Sequence, residues 1–335
     1  MLFRSRCLVK TTRLALATAV VAGSMAVSLA LPAMAQDTMM AEGKKITLMV
    51  GVKGDPFYVS MECGAREAAT AAGAILDVQG PDKFDATLQN PMLDAVAAAM
   101  PDALLVAPND KVASAGPLAA LRDAGTKVIL VDTVVEDPEI GLSRIATDNK
   151  LGGVKAADAL AELGVAAGAK VLVISTDPGV SSVDLRVEGF NERAAELGYV
   201  LVSETQYSHN SAETAAQVIS AALAANPDLA GVFATNLFTA QGVATGVKQA
   251  GATGVSVVGF DAGPDQIKQL EAGDVQALVA QKPYDIGVQG VQQAVAALND
   301  AEVMPEIQTE SIVVTAANMA DPEVAKYIYK SDCGM

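Results

Sequence analysis

The sequence predicts an α/β protein built from two similar, doubly wound lobes of parallel sheet. Short apolar runs that end in polar residues alternate along the chain with Ala-rich helical segments, which is typical of βαβ units. This alternation occurs in two series of similar length. A chain of 335 residues, 51% hydrophobic and 19% charged, is long enough for one large domain or two mid-sized ones. Right-handed crossovers would place helices on both faces of each sheet.

The first 35 residues differ from the rest of the chain. Basic residues (Arg4, Arg6, Lys10 and Arg13) precede an apolar stretch at 14–31, and Ala33-Met34-Ala35 follows as a small-x-small cleavage site. This pattern predicts a secretory signal peptide that is cleaved after Ala35, and therefore a periplasmic protein. An uncleaved membrane anchor is the alternative.

The charge of the chain argues against nucleic acid as a partner. The formal net charge is −16, and removal of the basic leader takes it to about −20. Such an acidic protein repels nucleic acid and anionic membranes.

Two cysteines remain once Cys7 is removed with the leader. Cys63 falls on a predicted helix, and Cys333 lies in a polar tail at the C-terminus. In an oxidising compartment such a pair favours a disulfide that attaches the tail to the first helix. The alternative is two unpaired thiols.

The first α/β series begins after a polar lead and contains a Gly54-Asp55-Pro56 turn, with Gly73 as a helix stop. Its predicted strands are 46–52, 74–78, 103–107, 128–131 and 142–146, and its predicted helices are 57–73, 86–100 and 113–125.

The second series begins at Thr147-Asp148-Asn149. Its predicted helices are 150–163, 183–197, 212–225, 238–250 and 265–271, and its strands are 170–175, 199–204, 231–234, 255–260 and 275–280. A helix at 284–299, a strand at 311–314 and a short helix at 324–329 complete the prediction.

Polar and aromatic residues collect where the predicted strands end, which is where open α/β sheets place their ligand crevices. The stretch 255–260 is the clearest case, because its apolar run stops at Asp261 before a Gly263-Pro264 turn. Asp261 is either a cap for the next helix or a ligand group. The residues collected there are Asp55, Phe57, Tyr58, Asn109, Asp110, Asp132, Thr133, Arg186, Asn236, Asp261 and Gln281, and such a set suits a polyhydroxylated ligand. Carboxylates and Arg pair with vicinal hydroxyls, and aromatic rings cover the C–H face of a sugar.

The sequence lacks the common catalytic and nucleotide-binding motifs. It has no G-x-G-x-x-G opening a helix after the first strand, no P-loop and no G-x-S-x-G elbow. His209 is the only histidine, which argues against His-based triads and multi-His metal sites. We therefore predict a binding protein rather than an enzyme, with no cofactor and no metal site.

Several motifs resemble the periplasmic sugar-binding proteins of ABC importers, in the ribose-binding branch. The motifs run in order over nearly all of the chain after the leader. They are Asp55-Pro56-Phe57-Tyr58-Val59-Ser60, where the family shows N-P-F-F-V-S, Thr147-Asp148-Asn149 with Gly152-Gly153, Arg186-x-x-Gly189-Phe190, Phe233-Ala234-x-Asn236, Val257 to Asp261 with Pro264-Asp265, and Ala280-Gln281-x-Pro283.

The resemblance implies two lobes joined by a hinge of three crossings, with a ligand cleft between them. The crossings are expected near Thr147-Asp148, Gln281-Lys282 and Glu310-Ser311. By position, the implied ligand residues are Asp55, Phe57, Tyr58, Asp132, Thr133, Arg186, Asn236, Asp261 and Gln281. The implied lobes are 44–147 with 282–310 and 148–281 with 311–325, followed by a tail at 326–335. The implied role is a monomer that captures a monosaccharide or sugar alcohol and delivers it to the membrane permease of an ABC importer.

The chain departs from the ribose-binding pattern at three positions near the expected ligand. Asp55 replaces an Asn, Thr133 replaces an Arg, and Leu237-Phe238 follows Asn236 where the family often has an Asp. The ligand is thus a pentose, a hexose or a sugar alcohol. Two other roles stay open, as a sugar-sensing partner of a chemoreceptor and as the sensing core of a repressor. The repressor would need an N-terminal helix-turn-helix, where this chain has its leader.

Overall fold

The computed structural model describes residues 39–334. The predicted signal peptide and its cleavage site lie outside this range. Within it, we find no helix with both the length and the apolar character needed to cross a membrane.

The first part of the chain alternates strands and helices that lead to one sheet. Its elements are β1 (Lys45–Met49), α1 (Pro56–Ala72), β2 (Ile75–Gln79), α2 (Ala86–Ala99), β3 (Ala103–Val106), α3 (Ala115–Asp123), β4 (Lys127–Val131) and β5 (Ser143–Thr147).

The next part repeats the pattern. Its elements are α4 (Asn149–Glu162), β6 (Lys170–Ser175), α5 (Ser181–Glu196), β7 (Val200–Leu201), β8 (Gln206–Tyr207), α6 (Ala212–Ala225), β9 (Leu229–Ala234), α7 (Leu237–Gln249), β10 (Ser256–Phe260), α8 (Pro264–Glu271) and β11 (Ala277–Ala280). The chain then adds α9 (Pro283–Leu298), β12 (Glu306–Thr309), β13 (Ile312–Val314) and α10 (Pro322–Ala325).

The first sheet has six parallel strands in the order β12-β5-β4-β3-β1-β2. Both faces are covered by helices, as the alternation along β3 shows. Leu104 and Val106 join the apolar cluster beneath α2 and α3, whereas Leu105 joins the cluster beneath α1 and α9. This sheet and its four helices are called the first lobe.

The second sheet has the order β13-β11-β10-β9-β6-β7, with β8 also paired to β6. All pairs are parallel except β11 with β13. This sheet with α4 to α8 is called the second lobe. The predicted fold class, an α/β protein with two lobes of mainly parallel sheet, is confirmed. In both sheets the strand order reverses near the first strand of the series, which places a crevice at the carboxyl ends of the strands.

Between residues 39 and 334 the chain passes from one sheet to the other three times. The passages follow β5, follow β11, and separate β12 from β13. One residue at each passage contributes to a small polar cluster, formed by the side chains of Thr147, Gln281 and Thr309. The Thr147 hydroxyl donates to Gln281 Oε1 at 2.6 Å and lies 3.4 Å from the Thr309 hydroxyl.

The structure differs from the predicted elements in three places. The strand predicted at 199–204 is two short segments, β7 and β8, which pair with opposite ends of β6. Strand β12 was not predicted, because Glu306-Ile307-Gln308-Thr309 is a partly exposed edge strand without an apolar run. The helix predicted at 324–329 is wrong: α10 starts earlier, where the Asp321 side chain accepts the Glu323 N–H at 2.9 Å.

The structure contains the predicted disulfide. Cys63 in α1 is bonded to Cys333, and their Cα atoms are 5.2 Å apart. The C-terminal segment is thereby attached to the first lobe, although it follows β13 of the second.

Candidate ligand-binding site

A cavity lies between the carboxyl ends of the two sheets. Its unoccupied space, including the part that opens to solvent, is about 410 Å³. Both lobes supply its wall. The lining residues are Asp55, Phe57, Tyr58, Phe84, Asp132, Thr176, Val180, Ser182, Val183, Arg186, Asn210, Asn236, Asp261 and Gln281.

Asp55 lies in the loop after β1 and begins helix α1. Its Oδ1 accepts the Phe57 N–H at 2.8 Å, as an N-cap does, and Pro56 occupies the first helical turn. Its Oδ2 has no partner among the described residues. Burial, and secondly the nearby carboxylate of Asp261, raise the pKa of Asp55 to about 7. Near neutral pH this carboxyl can therefore either donate or accept a hydrogen bond.

Phe57 and Tyr58 follow Asp55 and are both buried. Their rings meet edge to face, with centroids 5.1 Å apart. Both line the cavity, so the helix start presents aromatic surface beside a carboxyl group. Tyr58 also donates its hydroxyl hydrogen to Asp132 Oδ2 at 2.8 Å.

Asp132 follows β4 with a backbone φ of 64°, which is rare for a residue other than Gly. Burial raises its pKa to about 6, while Arg186 and the Tyr58 hydroxyl act in the opposite direction. Its Oδ1 has no partner among the described residues and is available to a ligand.

Arg186 in α5 is held in place from three sides. Its Nε donates to Asn149 Oδ1 at 2.8 Å, one Nη donates to the Thr235 carbonyl at 2.9 Å, and the guanidinium carbon lies 3.8 Å from the centre of the Phe260 ring. Since guanidinium has five N–H donors, others remain available at the cavity wall. A fixed, partly satisfied Arg is well suited to pair with ligand hydroxyls.

Two glycines let α5 approach α4 closely enough to set this position. A Cβ atom on Gly153 would lie 2.0 Å from the Arg186 carbonyl oxygen, and one on Gly189 would lie 2.0 Å from the Lys150 carbonyl oxygen. Both contacts involve backbone atoms, so the helices would have to separate to admit a side chain.

Asp261 follows β10 and is 4% exposed. Its Oδ2 accepts the Leu237 N–H at 2.8 Å, and its Oδ1 accepts Gln281 Nε2 at 2.6 Å and the Tyr329 hydroxyl at 2.8 Å. The alternative that Asp261 caps the helix after it is wrong. Gly263 occupies the N-cap position of α8, and the Gln266 side chain accepts its N–H at 2.8 Å, whereas Asp261 accepts the N–H of the first residue of α7.

Gln281 connects the hinge passages to the site. Its Oε1 accepts a hydrogen bond from Thr147 and its Nε2 donates one to Asp261, so both ends of the side-chain amide are paired. The residue is 1% exposed. It lines the cavity, but its orientation is set by the protein.

Asn236 and Thr133 complete the predicted set. Asn236 lines the cavity and caps α7, and its Nδ2 donates to Asn210 Oδ1 at 2.6 Å. Thr133 is not part of the cavity wall. Its hydroxyl donates to the Pro108 carbonyl at 2.7 Å and thereby fixes the loop after β4. The structure thus brings eight of the nine predicted residues to one cavity.

Other lining residues were not predicted. Thr176 follows β6 in the sequence, and its buried hydroxyl has no partner among the described residues, so it is a further candidate contact. Phe84 and Asn210 lie in loops without any motif. Tyr329 lies behind Asp261, and the helical interpretation of 324–329 concealed it. Only the ending of a strand at Ser175 marks Thr176 in the sequence.

The two lobes touch each other through the segment 179–184, which includes the cavity-lining residues Val180, Ser182 and Val183. The Lys111 N–H donates to the Gly179 carbonyl at 3.0 Å, and the Val134 N–H donates to Ser181 Oγ at 2.8 Å. Lys111 Nζ also pairs with Asp184 at 3.0 Å. In each contact one group comes from the first lobe and the other from the second. The cleft is therefore closed in this structure.

A closed cleft between two α/β lobes, lined by carboxyl, amide, guanidinium and aromatic groups, defines a two-lobed small-molecule binding protein. Residues 46–302 match the model of the family described as periplasmic binding protein domain, and the chain belongs to that family. Among curated relatives, the ribose import binding protein of Escherichia coli is 32% identical over 292 residues, which cover 86% of this chain and 94% of that protein. The D-allose-binding periplasmic protein of the same organism is 28% identical over 259 residues, or 75% and 83% of the two chains.

Solved structures similar to this chain are also solute-binding proteins. An ABC transporter solute-binding protein of Agrobacterium vitis, bound with α-D-tagatopyranose, superposes with a TM-score of 0.83 and 41% identity, over 86% of this chain and 99% of that one. A second from the same organism, with bound D-fucose, has a TM-score of 0.81 and 30% identity, over 85% and 100% of the chains.

Proposed function

We propose that this protein is the extracytoplasmic binding component of an ABC importer. It captures a neutral monosaccharide or sugar alcohol between its lobes and delivers it, as a monomer, to a membrane permease. The observation that carries the proposal is a set of polar atoms in one closed cavity that have no partner among residues 39–334: Asp55 Oδ2, Asp132 Oδ1, the Thr176 hydroxyl and the remaining Arg186 N–H groups. Together they offer both donors and acceptors at short range, which is what adjacent hydroxyl groups require.

The ligand contacts proposed are Asp55, Phe57, Tyr58, Asp132, Arg186, Asn236, Asp261 and Gln281, with Thr176 added. Phe57 and Phe84 offer apolar surface for the C–H face of a ring. Relatives that bind ribose, allose, tagatose and fucose support a monosaccharide without selecting one. The family consists of transport binding proteins, which supports binding without chemical change. We propose that the three passages between the sheets act as the hinge.

A thermal-shift screen tests this proposal. The panel contains D-tagatose, D-ribose, D-allose, D-arabinose, D-fucose and two sugar alcohols, with a disaccharide as control. A ligand at 100 times its Kd stabilises the folded state by about 2.7 kcal/mol, which gives a clear rise in melting temperature. A panel without any stabilising sugar would contradict the proposal. Mass spectrometry of the recovered sugar tests for turnover, and any catalytic conversion would show that the protein is an enzyme.

A further inference from the structure

The C-terminal segment, residues 326–334, reaches the binding site from outside both sheets. Tyr329 is 4% exposed, and its hydroxyl donates to Asp261 Oδ1 at 2.8 Å while accepting the Gln281 N–H at 3.2 Å. One tyrosine hydroxyl therefore makes hydrogen bonds to Asp261, at the end of β10 in the second lobe, and to Gln281, at a hinge passage. Tyr329 does not line the cavity itself, so any effect on the ligand passes through the wall residues that it contacts.

The same ring contacts the first lobe. Its centroid lies 5.8 Å from that of Phe57 in an edge-to-face arrangement. Phe57 lines the cavity, so Tyr329 packs behind two wall residues that belong to different lobes. Asp261 and Phe57 are thus supported from the rear by a single side chain.

The segment changes lobes between two consecutive residues. The Tyr329 N–H donates to the Ala262 carbonyl of the second lobe at 3.0 Å, and the Lys330 N–H donates to Ser60 Oγ of α1 at 2.7 Å. Three residues later Cys333 is bonded covalently to Cys63 of the same helix. The segment is therefore a fourth connection between the lobes, in addition to the three passages between the sheets.

We propose that Tyr329 is a positioning residue of the binding site, held there by the Cys63–Cys333 disulfide. The inference rests on the proposed function for its effect on affinity, but the geometry it asserts is a property of the ligand-free protein. Its hydroxyl fixes the direction of the Asp261 carboxylate, which in turn holds the first amide of α7 at Leu237. The disulfide limits how far the segment can move and so keeps the hydroxyl at Asp261.

Four proteins test the proposal: wild type, Tyr329→Phe, Tyr327→Phe and the double variant Cys63→Ser/Cys333→Ser. Tyr329→Phe keeps the ring contact with Phe57 and loses only the hydroxyl. Tyr327→Phe is the matched control, because its hydroxyl lies 3.4 Å from Glu310 and outside the cavity wall. The first readout is amide hydrogen exchange of Leu237 by NMR without ligand, relative to the core amide of Val258.

We expect Leu237 to exchange at least several times faster in Tyr329→Phe and in the double serine variant, while Val258 and the Tyr327→Phe control stay unchanged. A general loss of stability would accelerate both amides and is thus separated from a positioning effect. Unchanged Leu237 exchange in Tyr329→Phe would overturn the proposal. Unchanged exchange in the double serine variant alone would overturn the role of the disulfide.

The second readout is calorimetric affinity for the sugar that gives the largest thermal shift, starting with D-tagatose. Loss of a hydrogen bond to a charged group predicts a decrease of about tenfold for Tyr329→Phe. The double serine variant, which lacks the disulfide, should lose less affinity, about threefold. The C-terminal segment keeps its hydrogen bonds but gains conformational entropy when it is not bonded to α1. If no sugar binds but Leu237 responds as expected, the proposed function fails and the positioning role stands. Equal affinities for wild type and Tyr329→Phe would overturn the effect on binding.

Discussion

Asp132 and Asp261 occupy matching positions in the two lobes. Each follows a strand that ends at the cavity, has positive φ (64° and 77°) and donates its backbone N–H at 2.8 Å to the neighbouring strand. Each also accepts a tyrosine hydroxyl at 2.8 Å, from Tyr58 in the first case and Tyr329 in the second. A non-Gly residue with positive φ costs of order 1–3 kcal/mol and persists where surrounding contacts impose it, often at functional sites. The two carboxylates thus face one cavity from opposite lobes by the same local construction.

Asp55 predicts a dependence of stability on pH. Its folded-state pKa is about 7 against an ordinary value of 3.8, so between these values the folded state holds a proton that the unfolded state has lost. The ligand-free protein therefore loses stability as pH rises from about 4 to about 7, and little more above that. Asp55→Asn should remove much of this slope and increase the free energy of unfolding at pH 8 by at least about 1 kcal/mol.

Urea unfolding at pH 5 and pH 8 measures this effect. Asp82→Asn is a suitable control, since the Asp82 side chain is 91% exposed. The same slope in wild type and Asp55→Asn would show that the Asp55 carboxyl is ionised in the folded protein at low pH. Asp132, whose pKa is raised to about 6, contributes in the same direction.

Asp261→Ala should weaken sugar binding and also destabilise the ligand-free protein. The substitution leaves the Leu237 N–H, the Gln281 amide and the Tyr329 hydroxyl without their shared acceptor. Loss of hydrogen bonds to a charged group predicts a decrease of about 1.5–3 kcal/mol in the free energy of unfolding and at least tenfold in affinity. Thermal melting and calorimetry check both. A normal melting temperature with lost affinity would mean that these three donors find other partners.

Gly189→Ala tests the close contact that places Arg186. The added Cβ would lie 2.0 Å from the Lys150 carbonyl oxygen, so α4 and α5 must separate. We expect a loss of about 1–3 kcal/mol in the free energy of unfolding and reduced affinity. Gly116→Ala in α3 is the matched control, because its Cβ would meet nothing within 4 Å. That change should stabilise the protein by about 0.4–1 kcal/mol. Equal melting temperatures for the two variants would contradict the packing argument.

Contacts across the cleft predict that ligand and closure are coupled. Ser181→Ala removes the acceptor of the Val134 N–H, and Lys111→Ala removes a partly exposed ion pair with Asp184. Each should favour the open form and weaken binding by roughly two- to fivefold, since such contacts contribute modestly. Small-angle scattering should show a smaller radius with sugar than without it, and a larger ligand-free radius for the double variant. Identical profiles in all four states would argue against a hinge motion.

Residue order alone determined the α/β class, the two series and most of the strand ends at which Asp55, Asp132 and Asp261 lie. These features follow from local apolar periodicity and turn residues, which act over a few neighbouring positions. Only the tertiary structure decided what those ends do. It showed that Thr133 supports a loop and that Asp261 holds the start of α7 rather than its own helix. It also placed Tyr329 behind the cavity wall, through a segment that crosses between the lobes and is bonded to Cys63. Such assignments depend on contacts between residues far apart in sequence, and these are set by the packing of whole elements rather than by local pattern.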